Sequence, residues 1–299
     1  MGLGEVLDGA FRLLRTNARS LVLVTAAFAV PLNFLTSFLT RDLLGGLTLD
    51  EASSDPASAQ TALEGSSVDQ IAGTVLSLLT TAIILPLVAG AISRIVAASY
   101  LGRTESAGDA LRVLRRRGVA LVVGWLLVHV IEFGPAIAVA IGMVLVAVAA
   151  GASGPGLVVL LLLSFLVAMV WALMATVRLV AVSPAIVEEG LGPIKGIRRS
   201  VALTRGRFWS YLGIVVVSGL LASVLDGVLN TPSQIVGAIV GLDGVGWVIV
   251  AAGATVAQLV TTPFIAIVAT LVYFDGRIRR EGLDLEMMAA ELEAGSPRR

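Results

Sequence analysis

Two ionisable residues stand where few are tolerated. His129 and Glu132 lie inside the apolar run Gly118 to Ala150, three residues apart and so on one face of a helix. Counted from Gly118 at about 1.5 Å per residue, His129 falls near the middle of a bilayer and Glu132 somewhat beyond it. A charge there costs about 2.5–3.5 kcal/mol on insertion scales, so a retained pair could relay protons or bind a cation. The same residues also fit a neutral hydrogen bond between helices beside the Gly134-Pro135 kink. With a shorter span, Glu132 instead reaches the headgroups. A working pair would face the bundle interior and meet a polar group of another helix, with Gln258, Arg94 and Arg178 as candidates.

Arg94 and Arg178 hold matching places near the ends of two further apolar runs. Either they extend to the headgroups along their aliphatic stems, or they line a cavity and grip lipid phosphate through parallel N–H bonds. Glu188 and Glu189 are their candidate intramolecular partners. The stretch EEGLGPIKGIRRSVALTRGRFW gathers Lys195, Arg198 and Arg199. These cations suit an anionic-lipid surface, each contributing about 1 kcal/mol near acidic headgroups. The plainer reading is topology and anchoring alone, with Trp209 and Tyr211 as interface aromatics. Nothing beside Lys195 is arranged to make it a nucleophile.

Composition narrows the chemistry further. The chain has no Cys and one His, which excludes disulfides, Cys-ligated zinc, iron–sulfur clusters and a two-histidine metal site within one chain. Neither AGAIS nor GASGPG matches the phosphate-binding loop pattern, which needs a Lys and a Ser or Thr after its glycines. Net charge is zero, and the basic, aromatic TRGRFW adjoins an apolar run, so nucleic acid is not a partner. No cofactor and no metal is implied. Convergent acid, base or metal groups are what an enzyme would need, and only His129, Glu132 and scattered Arg are on offer.

Hydropathy sets the elements that must hold these residues. The 299 residues are 57% apolar and 14% charged, against about 25% charged in soluble domains, and mean hydropathy is +0.95. Lipid is the natural solvent for such a chain. Apolar runs of about 20 residues predict membrane-spanning helices at Ser20–Thr40, Val75–Leu101 (starting nearer Val68), Gly118–Ala150, Leu157–Val182, Tyr211 to about Leu229, and Gly246–Phe274. Runs of that length are too long for barrel strands, and backbone amides in lipid need internal partners, so helices result. The first run follows Arg12, Arg15 and Arg19, yet no small-residue cleavage site follows it, so it reads as a retained helix. Val6 stands where a myristoylation signal has Ser or Thr.

Arg and Lys orient the spans. Eighteen fall before the first run, between the second and third, between the fourth and fifth, or after the sixth, whereas Arg41 alone falls on the other side. Six spans follow, with both termini in the cytoplasm and the protein in the plasma membrane. Residues 1–280 read as one transmembrane helical domain with an external acidic loop over 41–70. Residues 281–299 form a charged cytoplasmic tail with a short helical pattern, LDLEMMAAELEA.

The basic segments resemble one another. DGAFRLLRTNARSL, GDALRVLRRRGVAL and IRRSVALTRGRFWSYL each alternate apolar and Arg positions at helical spacing before an odd-numbered span. That is the pattern of an interfacial amphipathic helix. The even spans also end alike, in ISRIVAASYLGR, TVRLVAVSP and TLVYFDGRIRR. Three repeats in one direction are expected, each an interfacial helix plus a hairpin, related about an axis along the membrane normal. The plain alternative is that positive-inside loops look alike.

LGEVLDGAFRLLRTNARSL with its Pro31-containing run, AIVEEGLGPIKGIRRSVALTRGRFWSYLGI and LVYFDGRIRREGLDLE together resemble bacterial, actinobacterial-type membrane proteins of the glycerophosphoryl diester phosphodiesterase membrane domain family. In two-part members of that family a separate soluble barrel does the chemistry. A barrel of about 250 residues has no room beside six spans. The resemblance therefore implies the membrane module alone and gives no catalytic residues. The leading expectation is a non-enzymatic, multi-pass module assisting lipid or envelope processes, with the bilayer and its anionic lipids as partners. The alternative is a transporter or channel for a small solute or lipid, which would show a polar cavity reaching mid-membrane.

Overall fold

The computed structural model describes residues 1–45, 68–149 and 155–282, and every regular element among them is helical. Helix α1 (Leu3–Thr16) leads into α2 (Ala18–Gly45), followed by α3 (Val68–Tyr100), α4 (Ala107–Ala149) and α5 (Pro155–Leu179). Two short helices, α6 (Val182–Glu188) and α7 (Pro193–Thr204), precede α8 (Phe208–Val240) and α9 (Trp247–Glu281). Six helices, α2, α3, α4, α5, α8 and α9, are long and apolar enough to cross a membrane, at the places the hydropathy predicts. Of the expected acidic loop, Arg41–Gly45 continues α2. Residues 46–67 and the tail from 283 lie outside the described residues.

Two elements depart from the expected boundaries. The fifth span was expected to stop near Leu229, before Asn230-Thr231-Pro232. It runs on to Val240. Pro232 withholds one backbone donor, but Ser233 Oγ donates to Asn230 O at 2.7 Å and Gln234 Nε2 to Asn230 Oδ1 at 3.3 Å, which ties the turn together. The basic segments also differ from one another. α1 and α7 are separate helices, whereas GDALRVLRRRGVAL has no break from its span and forms the start of α4. The first and third are helical on either side of a break, at Asn17 and at residues 205–207, and the second is helical throughout.

The helices carry their polar groups in a way lipid permits. Hydroxyls of Thr40, Ser93, Thr176, Thr255 and Thr261 each lie at 2.7–3.0 Å from the carbonyl four residues earlier, so a side-chain donor is satisfied within its own helix. Val119, Leu145, Leu162, Phe165 and Ile239 are between 62% and 81% exposed. Such a surface would drive aggregation in water but meets its own kind in hydrocarbon.

The chain divides into two compact units. One comprises Met1–Ala10, Arg116–Val216 and the chain from Val268. Its core includes Val6, Ile186, Leu203, Tyr211, Ile214, Leu271 and Tyr273, and α7 packs on α6 and α5. The other comprises Phe11–Arg115 and Val217–Ile267. There α2 packs along α3 around Leu21, Val24, Ile92 and Ile95, and Phe11 meets Phe264 with ring centroids 5.2 Å apart. In this unit α8 and α9 are joined by a tight turn over Leu242–Gly246, opened by Gly241 at φ +96°. A Cβ on Gly246 would overlap the carbonyl oxygens of Gly237 and Gly241, so the two backbones touch where no side chain fits.

Candidate functional site

Glu132 has a partner on another helix, but a different one from those expected. The Thr176 hydroxyl of α5 donates to its carboxyl, while lying 2.9 Å from Ala172 O as well. A hydroxyl has one proton to give, so the two acceptors share it. One residue away, Trp171 Nε1 donates to Ile131 O at 2.9 Å. The cause is local: Pro135 has no N–H, so the carbonyl four residues earlier, that of Ile131, loses its intrahelical donor, and the indole takes its place. Glu132 and Ile131 thus clasp α4 to α5 beside Pro135.

His129 is occupied within α4. Its Nδ1 lies 2.9 Å from Trp125 O; a carbonyl only accepts, so Nδ1 carries the proton. The ring stacks on Trp125 at 3.7 Å and tilts against Phe133 at 5.7 Å. No hydrogen bond or ion pair joins His129 to Glu132. Among the described residues, no group of three or more His, Cys, Asp or Glu is placed to hold a metal ion.

The basic candidates divide by what they bond. Arg94 Nε donates to Glu105 Oε1 at 3.1 Å. Arg199 is fully engaged: Nε donates to Glu189 at 2.7 Å, and the two terminal nitrogens donate to both oxygens of Glu281, one of them at 2.7 Å. The Glu281 hydrogen bonds, followed by those of Glu189, raise the Arg199 pKa above its usual value. Tyr273 Oη donates to the same Glu189 oxygen at 2.9 Å, and Arg277 Nε to Glu281 at 3.1 Å. A second knot surrounds Asp275, which accepts from Tyr211 Oη and Arg279 Nε, each at 2.9 Å, with Arg207 at 3.8 Å. Arg117 donates to Gly190 O at 2.6 Å. Gly190 has φ +65°, a conformation that L side chains rarely adopt, so the EEGLGP turn needs glycine there.

Lys195 and Arg198 remain on the outside of α7, with Ala202 and then Arg205 continuing the exposed face. Ile194 and Trp209 flank it, 60% and 80% exposed. Arg178 lies over the Phe208 ring at 5.5 Å, and its carbonyl accepts from Ser200 Oγ at 2.8 Å. Glu189, named as a candidate partner of Arg94 or Arg178, bonds Arg199.

Sequence reasoning overlooked several of these groups. Asp275 with Arg279 and Arg277 with Glu281 stand four apart, a spacing that marks helical ion pairs. Asn33 was also missed. Its Nδ2 donates to Thr255 Oγ1 and Gln258 Oε1, both at 3.2 Å, and Gln258 Nε2 donates back to Asn33 Oδ1 at 3.3 Å. Gln258, expected as a partner for Glu132, has this amide instead. A lone Asn in an apolar run was the available signal.

No curated protein and no solved structure matches the chain. Its family is nonetheless recognisable, for the family model described as a domain of unknown function, DUF7847, matches residues 1–275, nearly everything that builds the helices above, and the chain belongs to that family.

Proposed function

We propose that this chain is a non-enzymatic, multi-pass module of the plasma membrane, with both termini in the cytoplasm, that gathers anionic lipid on its cytoplasmic side and so assists lipid or envelope processes. The observation that carries the reading is the division of the basic residues. Arg199 is held by two carboxylates, while Lys195 and Arg198 on the outer face of α7, and Arg205 just past its end, stand exposed between Ile194 and Trp209. Cations beside an aromatic anchor form the pattern that meets an acidic headgroup layer. The arginines in the earlier basic segments support the orientation. α1, with Val6 and Ala10 buried and Arg12 and Arg15 off that stripe, supports an interfacial placement. The resemblance to the phosphodiesterase membrane module supports the absence of chemistry of its own.

Spin-labelled lipids test this in reconstituted vesicles. Spin-labelled phosphatidylglycerol should be immobilised by the protein in preference to spin-labelled phosphatidylcholine. Changing Lys195, Arg198 and Arg205 to Gln should bring the ratio close to one, since each cation contributes about 1 kcal/mol, or about fivefold. Arg199→Gln should leave the ratio unchanged. An unaltered ratio in the triple variant would contradict the reading.

A further inference from the structure

We propose that a cavity among α2, α3 and α9 is a binding site for a small uncharged solute bearing hydroxyl or amide groups. The cavity has a volume of about 250 Å³, room for about eight waters at about 30 Å³ each. Its polar lining is Thr25, Asn33 and Thr36 from α2 and Gln258 and Thr262 from α9, against apolar walls that include Leu85 of α3. All of it lies within one compact unit.

Depth along α2 puts the cavity in hydrocarbon. Arg19 and Arg41 bracket about 33 Å of helix at 1.5 Å per residue, close to the thickness of a bilayer core. Thr25 and Thr36 fall about 9 Å and about 8 Å inside those two marks. Polar groups at such depth need partners, and the most deeply buried one has none. Thr25 is 1% exposed, and its hydroxyl has no hydrogen-bond partner among the described residues. Thr40, Ser93 and Thr255 bond back to their own helices; Thr25 does not.

The remaining bonding capacity defines the ligand. Both Asn33 N–H groups are used, by Thr255 and Gln258. Gln258 gives one N–H to Asn33 and accepts once, so it keeps one N–H and one acceptor site. Thr25 keeps one of each. Every polar group lining the cavity is neutral, so an ion would enter without a counter-charge, which the interior penalises. A hydroxyl or amide solute can donate and accept at both ends. Each lining helix also carries a proline within two residues of a lining residue: Pro31, Pro86 and Pro263. Each proline withholds one backbone donor from its helix beside the cavity.

The site shares no residue with the lipid surface of α7, and its test can fail separately. Saturation-transfer NMR on the full chain in phosphatidylcholine nanodiscs would use acetamide, glycerol and, as the charged match to acetamide, acetate. Acetamide or glycerol should receive saturation beyond that in empty nanodiscs, and acetate should not. Ala29→Phe, which fills the cavity, should abolish the transfer. Thr25→Val, of nearly equal shape, should lower it about fivefold and keeps the test open should the larger change disturb folding. Both variants should retain the phosphatidylglycerol preference. Nanodiscs containing phosphatidylglycerol separate the two sources of hydroxyl chemistry. Persistent transfer marks a free solute, and loss through competition marks the lipid's glycerol headgroup. No transfer with either neutral probe, equal transfer to acetate, or transfer unaffected by both substitutions would overturn the proposal.

Discussion

Glu132 is retained in an apolar helix because Thr176 answers it, and Trp171 is placed because Pro135 leaves a carbonyl unpaired. Both contacts are interhelical, a kind averaging about 0.6 kcal/mol in membrane proteins. Glu132→Gln keeps an acceptor for the Thr176 hydroxyl, so stability should shift by less than about 0.6 kcal/mol. Glu132→Ala should cost about 1 kcal/mol, and Trp171→Phe, which strands the Ile131 carbonyl, about 1–2 kcal/mol. Unfolding in mixed micelles would measure all three; a Gln variant as weak as the Ala variant would show that the carboxyl itself is required. The sequence placed His129 and Glu132 on one helical face but not their partners. Thr176 is 44 residues from Glu132, and it is one of many hydroxyls in the apolar runs. The need of Ile131 for a donor was legible from Pro135 alone, whereas the identity of that donor depended on which helices meet.

At the level of elements, hydropathy located each span well and its ends less well. α8 passes through Pro232, where Ser233 and Gln234 side chains bond back to Asn230, local contacts that a hydropathy window does not register. α4 absorbs a basic segment expected to stand alone, since no Gly or Pro separates the amphipathic pattern from the apolar one until Gly118, which a helix tolerates. The ion-pair spacing in YFDGRIRRE was open to reading, but the tie from Arg199 to Glu281 across 82 residues was not. The contact between α8 and α9 gives a sharp prediction. Gly246→Ala forces a methyl onto two carbonyl oxygens and should cost about 1–3 kcal/mol. Gly219→Ala, in the same unit with open space around it, should be neutral or gain up to about 1 kcal/mol from helix propensity. Equal effects in the same unfolding assay would show that the backbones are not in contact there.

For the whole molecule, the count of apolar runs and their solvent were legible because both are sums over local composition. The two units and the cavity were not, because they depend on which helices pack together. Asn33 and Thr25 gain their meaning only beside Gln258. The central claim is a six-span chain whose basic segments share one side. With no native Cys, single cysteines report sidedness cleanly. Asp55→Cys and Arg205→Cys, treated with an impermeant maleimide in intact cells and then in inverted vesicles, test that claim most directly. The account predicts that position 55 is labelled only from outside and position 205 only from the cytoplasmic face; labelling of both from the same side would contradict it.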